Sequence, residues 1–141
     1  MRSALHRPLT PTSGDDRGGI VIGWLTKLTV ALALLGIVLF DAIAIGTTRA
    51  TVADDGAFAA HEAADIWADT HDLQQTFAAA TTAAIERNSA NTVSTKGFTV
   101  DPDGTVHLVI SRTADTMVVY RWSRTAKWAV VRTTAKGRSV S

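Results

Sequence analysis

Between Ile20 and Ile45 the chain is apolar almost without interruption, with Lys27 and Asp41 its only charged positions. At a rise of about 1.5 Å per residue, the part after Lys27 alone gives roughly 27 Å of helix, close to the hydrocarbon thickness of a bilayer. The remaining chain is too short and too rich in alanine to wrap so apolar a helix, which argues against a buried core helix. The pattern predicts a transmembrane helix over residues 20–45. A secretory signal peptide is the competing reading: Leu28 to Phe40 has the length of its apolar core, and Ala42-Ile43-Ala44 offers small residues for cleavage. A retained anchor is favoured by the preceding Ile20, Val21, Ile22 and Leu25, by Trp24 at the level of an interfacial belt, and by Lys27, whose stem can snorkel to the headgroups.

Beyond the anchor the apolar run gives way to a period of three or four. Ala42, Gly46, Ala50, Ala53, Ala57, Ala60 and Ala64 form a smooth ridge along a continuing helix, and Ala42-x-x-x-Gly46 is a small-xxx-small pair that lets a second helix approach closely. The abundance of alanine also has a plain reading, since alanine is the best helix former. Thr70, His71 and Asp72 interrupt the pattern. Either the helix breaks there, with Asp72 and Gln75 capping a second helix, or it runs unbroken to Asn88. Leu73, Phe77, Ala80 and Ala84 share one face of the second segment, and Ile66 and Trp67 are the largest apolar groups before it.

From Asn88 onward Asn, Ser, Thr and Val take over, a change to β-structure. Asp101-Pro102-Asp103-Gly104 predicts a hairpin turn between Phe98–Val100 and Thr105–Arg112, with Val106, Leu108 and Ile110 facing the helix and His107, Val109 and Ser111 facing away. Met117–Trp122 and Lys127–Thr133 read as further strands, although Asp115–Tyr120 also suits one turn of helix. The predicted architecture is α+β and pilin-like in arrangement. It comprises a flexible cytoplasmic tail over 1–19, a transmembrane helix over 20–45, an amphipathic helical region over 46–88 and a small antiparallel β-rich head over 89–141.

Charge adds direction to this picture. Arg2, Arg7, Arg17 and Lys27 lie on the N-terminal side of the span and only Arg49 lies close on the other, so the positive-inside bias predicts a cytoplasmic N-terminus, a single pass through the cell membrane and an extracytoplasmic head. The net charge of +1 hides a segregation: residues 49–95 carry two basic and seven acidic side chains, residues 96–141 eight basic and three acidic. Such blocks pack on each other within one molecule, join neighbours, or remain solvated. The absence of cysteine leaves the compartment open.

Candidate chemistry is sparse. His61-Glu62-Ala63-Ala64-Asp65 resembles a zinc-protease helix, but Asp65 replaces the second histidine and no third ligand is evident, so a solvated helix face is the expectation. No cysteine nucleophile, phosphate loop or triad is evident. No enzyme activity, cofactor, metal or small-molecule substrate is expected. Arg112, Arg121, Arg124, Lys127, Arg132, Lys136 and Arg138, with Tyr120, Trp122 and Trp128, make a basic C-terminal region. Its predicted exterior location disfavours nucleic acid and favours anionic lipid, a wall polymer or an acidic neighbour; Trp122 and Trp128 also suit the core or rim of a sheet. Asp41 is costly at the end of an apolar span unless it meets a partner or interfacial water.

The Gly-led apolar helix ending in Asp41 of LFDAIAIGTTRA, with Arg49, Val52 and the alanine run 57–64 after it, resembles the N-terminal region of TadE/TadG-like minor pilin-type proteins of the tight-adherence (Flp) pilus machinery. The Gly97–Ser111 hairpin ending in Ser111-Arg112-Thr113-Ala114 is similar to the strand region of short members. Neither Gly18 nor Gly19 is followed at five residues by the glutamate of a prepilin cleavage site, which fits TadG-like proteins better. The resemblance implies a non-enzymatic, single-pass subunit in pilus or secretion assembly. Its helix-association candidates are Asp41, Ala42, Gly46, Arg49 and Ala50, its membrane-interface residues Trp24 and Lys27, and its partners other membrane or pilus-assembly subunits and membrane lipid. A membrane-tethered binding module contacting envelope polymer, lipid or a transporter complex is the alternative, and a secreted metallohydrolase a third.

Overall fold

A computed structural model describes residues 16–119, 121 and 124–139, with side chains from Val21 onward. Most of the expected tail, together with Tyr120 and Trp122, lies outside the described residues. The elements are α1 (Asp16–Thr70), α2 (Leu73–Arg87), β1 (Thr92–Val100), β2 (Val106–Thr113), α3 (Ala126–Ala129) and β3 (Val130–Gly137). This is an α+β chain with a long apolar N-terminal helix followed by a three-stranded antiparallel sheet in the order β1-β2-β3.

Contacts divide the chain after Gly36. In the first unit, the described part of α1 is helix whose apolar side chains have nothing to bury against: Val21, Trp24, Leu32 and Leu35 are each about three-fifths exposed or more, at 63%, 65%, 59% and 62%. Thr26 and Thr29 return their hydroxyls to the carbonyls of Ile22 and Leu25, each at 2.9 Å, so that these two hydroxyls are satisfied within the helix. Among the described residues α1 is the one helix long and apolar enough to cross a membrane, and its most apolar 18-residue window has a mean hydropathy of 2.6.

The second unit, from Ile37 onward, has its own core. Val52, Gly56, Ala59, Ala60, Ala63 and Ala64 of α1 are buried against Val106, Leu108 and Ile110 of β2 and Val131 and Ala135 of β3, with Ala80 and Ala84 of α2 and Val93 and Phe98 of β1 completing the cluster. The alternation of β2 follows the sequence pattern, its three apolar residues fully buried while His107, Val109 and Ser111 are half-exposed. Helix and sheet meet almost backbone to backbone. A Cβ added to Gly56 would lie 2.8 Å from Ile110 Cγ2, and one added to Gly137 would overlap the carbonyl of Ala60 and the nitrogen of His61. Small residues thus set the interlayer distance, because any larger side chain would push the layers apart.

Of the two sequence readings near residue 70, the break is what forms. His71 takes a positive φ of 49°, and Asp72 caps α2 by accepting the N–H groups of Gln74 at 2.7 Å and Gln75 at 3.1 Å, while the Gln75 amide returns to Asp72 at 3.3 Å. Phe77, Ala80 and Ala84 face the core as expected, with Phe77 edge-on to Phe98 at 5.1 Å between ring centroids; Leu73 instead remains 53% exposed. The hairpin closes through Asp101 to Gly104, with N–H···O bonds of 2.9 Å from Asp101 to Thr105 and from Gly104 to Asp101.

Two strand expectations are corrected. The described part of 117–122 is not a strand, because the N–H groups of Met117, Val118 and Val119 are bonded to a side chain of α1 instead of a neighbouring strand. Residues Ala126–Ala129 form the short α3, so β3 starts at Val130, opposite Thr113, and runs on to Gly137. Ala-Lys-Trp-Ala has little of the β-branched content that favours extended structure, and the strand begins where Val130 and Val131 supply it.

Candidate functional site

Three polar constellations stand along the outer part of α1. The first is centred on Asp41, which is buried, at 3% exposure, although it follows directly on Val38, Leu39 and Phe40, all exposed apolar residues. Its Oδ1 accepts the N–H of Met117 at 2.6 Å, and its Oδ2 accepts those of Val118 at 3.1 Å and Val119 at 3.0 Å. A carboxylate has only acceptor sites, and three converging amides match that demand with charge-assisted bonds. Arg121 N–H closes a turn on the Val118 carbonyl at 3.0 Å, and Thr125, the residue preceding α3, donates its hydroxyl to the Val119 carbonyl at 2.9 Å. The carboxylate therefore holds a turn, and the turn holds α3.

The second constellation lies about four turns further along α1. Asp55, 7% exposed, accepts from Arg112 Nη1 at 3.2 Å and from the Asn91 amide at 2.9 Å, and pairs with Arg87 Nε at 3.4 Å. Asn91 shares its donor nitrogen with the Ala84 carbonyl at 2.9 Å, and Arg112 also reaches the Thr51 hydroxyl. Arg87 lies over the Phe58 ring, 5.1 Å from its centroid. One carboxylate so gathers α1, α2, β2 and the α2–β1 connection. It is also where the acidic and basic blocks of the sequence meet, in the pair Asp55–Arg112.

The third is a cleft of about 810 Å³ at the hairpin end, lined by Ala64, Trp67, His71, Pro102, Asp103 and Arg138 among others. Trp67 and His71 stand 5.4 Å apart with their rings tilted, and His107 Nε2 is 2.9 Å from Asp101 Oδ2. His61 Nδ1 is 3.1 Å from the Arg138 carbonyl; since a carbonyl only accepts, that nitrogen carries the proton and donates. The zinc-protease-like segment is thus engaged in holding the end of β3, with Glu62 and Asp65 exposed on α1. Among the described residues no three His, Asp or Glu side chains converge as a metal site.

Of the helix-association candidates, Asp41 is satisfied within its own chain, whereas Ala42, Gly46, Arg49 and Ala50 are exposed, and an added Cβ on Gly46 would meet nothing within 4 Å. The ridge drawn from the sequence splits: Ala60 and Ala64 pack on the sheet, and Ala42, Gly46, Ala50, Ala53 and Ala57 face outward. Trp24 and Lys27 are exposed on the apolar part of α1. Sequence reasoning singled out Asp41 for its cost in an apolar setting but had no signal for the turn that satisfies it. It missed Asp55, Asn91 and Arg112 as a unit, because each is unremarkable in its own segment.

Comparison with family models, with curated proteins and with solved structures finds no match to the chain.

Proposed function

We propose that the protein is a non-enzymatic, single-pass membrane subunit of pilin-like build, a minor-pilin-like or accessory component in Flp/Tad-type pilus or secretion assembly, with its N-terminus cytoplasmic and its head outside. The observation that carries this reading is the division of labour on α1. The helix that is apolar enough to span also supplies the spine of the head, and the head uses only one of its faces. The outward face, Ala42, Gly46, Arg49, Ala50, Ala53 and Ala57, is smooth enough for a neighbouring helix to approach closely. Asp41 does not compete for that neighbour, since its own chain satisfies it. The chain has no cysteine, so Ala50→Cys supplies a unique cross-linking position. Cross-linking at Ala50 to a helix of another membrane subunit, lost on Gly46→Leu, is the expected result; an unchanged cross-linking pattern in Gly46→Leu would overturn assembly through this ridge.

A second reading is favoured by the cleft at the hairpin end, where Trp67 offers a flat apolar surface beside Asp103 and Arg138. A tethered module that grips an envelope polymer there would lose binding on Trp67→Ala while keeping its membrane complexes intact.

A further inference from the structure

The contacts of α1 run in register along the sheet. Asp41 meets residues 117–119, Thr51 and Asp55 meet Arg112, Gly56 meets Ile110, Ala60 meets Gly137, and Trp67 lies beside Gly104. The strands therefore lie alongside residues 41–67 of α1, with the Thr113 and Val130 end towards Asp41 and the hairpin turn beside Trp67. Asp41 is the first charged residue after the apolar run that follows Lys27, so in the single-pass reading it stands towards the edge of the span. Whatever Asp41 binds is drawn to that edge as well.

What it binds is neither uniformly polar nor covered. Met117 is 55% and Val118 40% exposed, and on the helix Leu39, Phe40 and Ile43, the sequence neighbours of the Asp41 that binds them, are exposed as well. Through Thr125 and Val119 the same turn holds α3, whose Trp128 is 63% exposed. Around these apolar groups Arg121, Arg124 and Lys127 are all exposed, with Asp115 as the acidic exception. Apolar side chains flanked by cations are the composition of an interfacial membrane contact, in which each cation adds attraction to an anionic surface.

We propose that Met117, Val118 and Trp128, with Arg121, Arg124 and Lys127, form a second membrane contact that seats the base of the head on anionic phospholipid headgroups. This rests on the single-pass reading above. The turn inserts its apolar tips at the headgroup level while the cations pair with phosphates. The Asp41 carboxylate fixes the depth at which this happens. The head is then held to the bilayer at two places, which restricts its tilt and presents the outward ridge of α1 at a constant angle.

Because the chain lacks cysteine, spin labels at single introduced cysteines report depth in the full-length protein reconstituted into nanodiscs. Met117→Cys tests the contact, Leu34→Cys reports the span, and Thr134→Cys, exposed on β3, serves as the water-facing reference. With phosphatidylglycerol present, the label at 117 is expected to be several-fold less accessible to a water-soluble nickel relaxant than the label at 134. That protection is expected to disappear in purely zwitterionic discs and in Arg121→Gln/Arg124→Gln/Lys127→Gln. Equal nickel accessibility at 117 and 134, with the label at 34 reporting hydrocarbon, would overturn the second contact and leave the span intact. Protection at 117 that ignores lipid charge would overturn headgroup recognition, and a water-exposed label at 34 would overturn both the contact and the single-pass reading.

Discussion

Asp55 and Arg112, fifty-seven residues apart in sequence, meet at 3.2 Å with both side chains about nine-tenths buried. The pair joins the spine helix to the end of the central strand, and it sits with Asn91, whose amide oxygen is buried without a protein partner among the described residues. Removing Asp55 leaves Arg112 buried without its carboxylate, whereas removing Arg112 leaves Asp55 with Arg87 and Asn91. Asp55→Leu is expected to lower stability by about 3 kcal/mol and Arg112→Met by less, and the double variant to lose less than the sum of the two, because Arg112 is not left alone in it. Thermal unfolding of the four proteins closes this cycle; strictly additive losses would mean that the two side chains act independently.

Two glycines, one packed and one open, should respond with opposite sign. Gly137→Ala places a methyl group into the Ala60 carbonyl and is expected to cost about 1–3 kcal/mol by forcing the helix from the sheet. Gly46→Ala, in an exposed helical position with open space around it, is expected to be neutral or to stabilise the chain by roughly 0.5–1 kcal/mol through helix propensity. Urea titration of both variants distinguishes the packed from the open position, and equal destabilisation would remove the backbone-to-backbone contact as the reason for Gly137.

The cap of α2 carries a pH dependence. The Gln75 and Gln74 amides hold the Asp72 carboxyl below its usual value of 3.8. A depressed folded value means that protonation opposes the fold, so the cap contributes fully above the ordinary carboxylate range and is lost as pH falls through the lowered one. The stability difference between wild type and Asp72→Ala should therefore stay constant from neutral pH to about pH 5 and vanish in more acid solution. A difference that persisted in strong acid would show that the carboxylate charge is not what caps the helix.

Asp41→Leu leaves the N–H groups of Met117, Val118 and Val119 facing an apolar side chain. Amide exchange at these three positions is expected to accelerate by on the order of tenfold or more, the loss of a charge-assisted hydrogen bond, with the β2 amides unchanged. Asp41→Asn keeps one acceptor oxygen and is expected to fall between the two. If exchange at 117–119 did not change in Asp41→Leu, the turn would be held by something other than this carboxylate.

Retention of the proposed anchor has its own signature. Cleavage after Ala44 would remove Asp41 from a head that uses it, so the mature protein recovered from membranes is expected to have the intact mass through that segment. A product beginning at Ile45, recovered from the medium, would replace the anchored subunit with a secreted domain and would require the 117–119 turn to find another acceptor.

What could be read from the sequence were features whose cause is local. The apolar span, the Asp72 and Gln75 cap, the Asp-Pro-Asp-Gly turn and the alternation of Val106, Leu108 and Ile110 each depend on residues within a few positions of one another. Where the cause was distant the reading failed. Met117–Val119 looks like a strand because its side chains are β-formers, yet its amides are drawn to Asp41, more than seventy residues earlier. The face of α1 that packs on the sheet is set by Gly56 and Ala60 meeting Ile110 and Gly137, a match that no periodicity within the helix encodes. The site suffered most, since the Asp55 network draws one residue from each of several segments.

The carboxylate of Asp41 also imposes an order on how the protein is made. A chain is synthesised from its N-terminus, so this carboxylate exists long before residues 117–119 are made to cover it. During that interval only donors from outside the chain can satisfy it. Under the single-pass reading proposed above, that unmet demand resists the helix sliding deeper into a bilayer. When the turn closes over the carboxylate, its place along α1 becomes fixed, so the last part of the chain to be made completes a site that the first part opened.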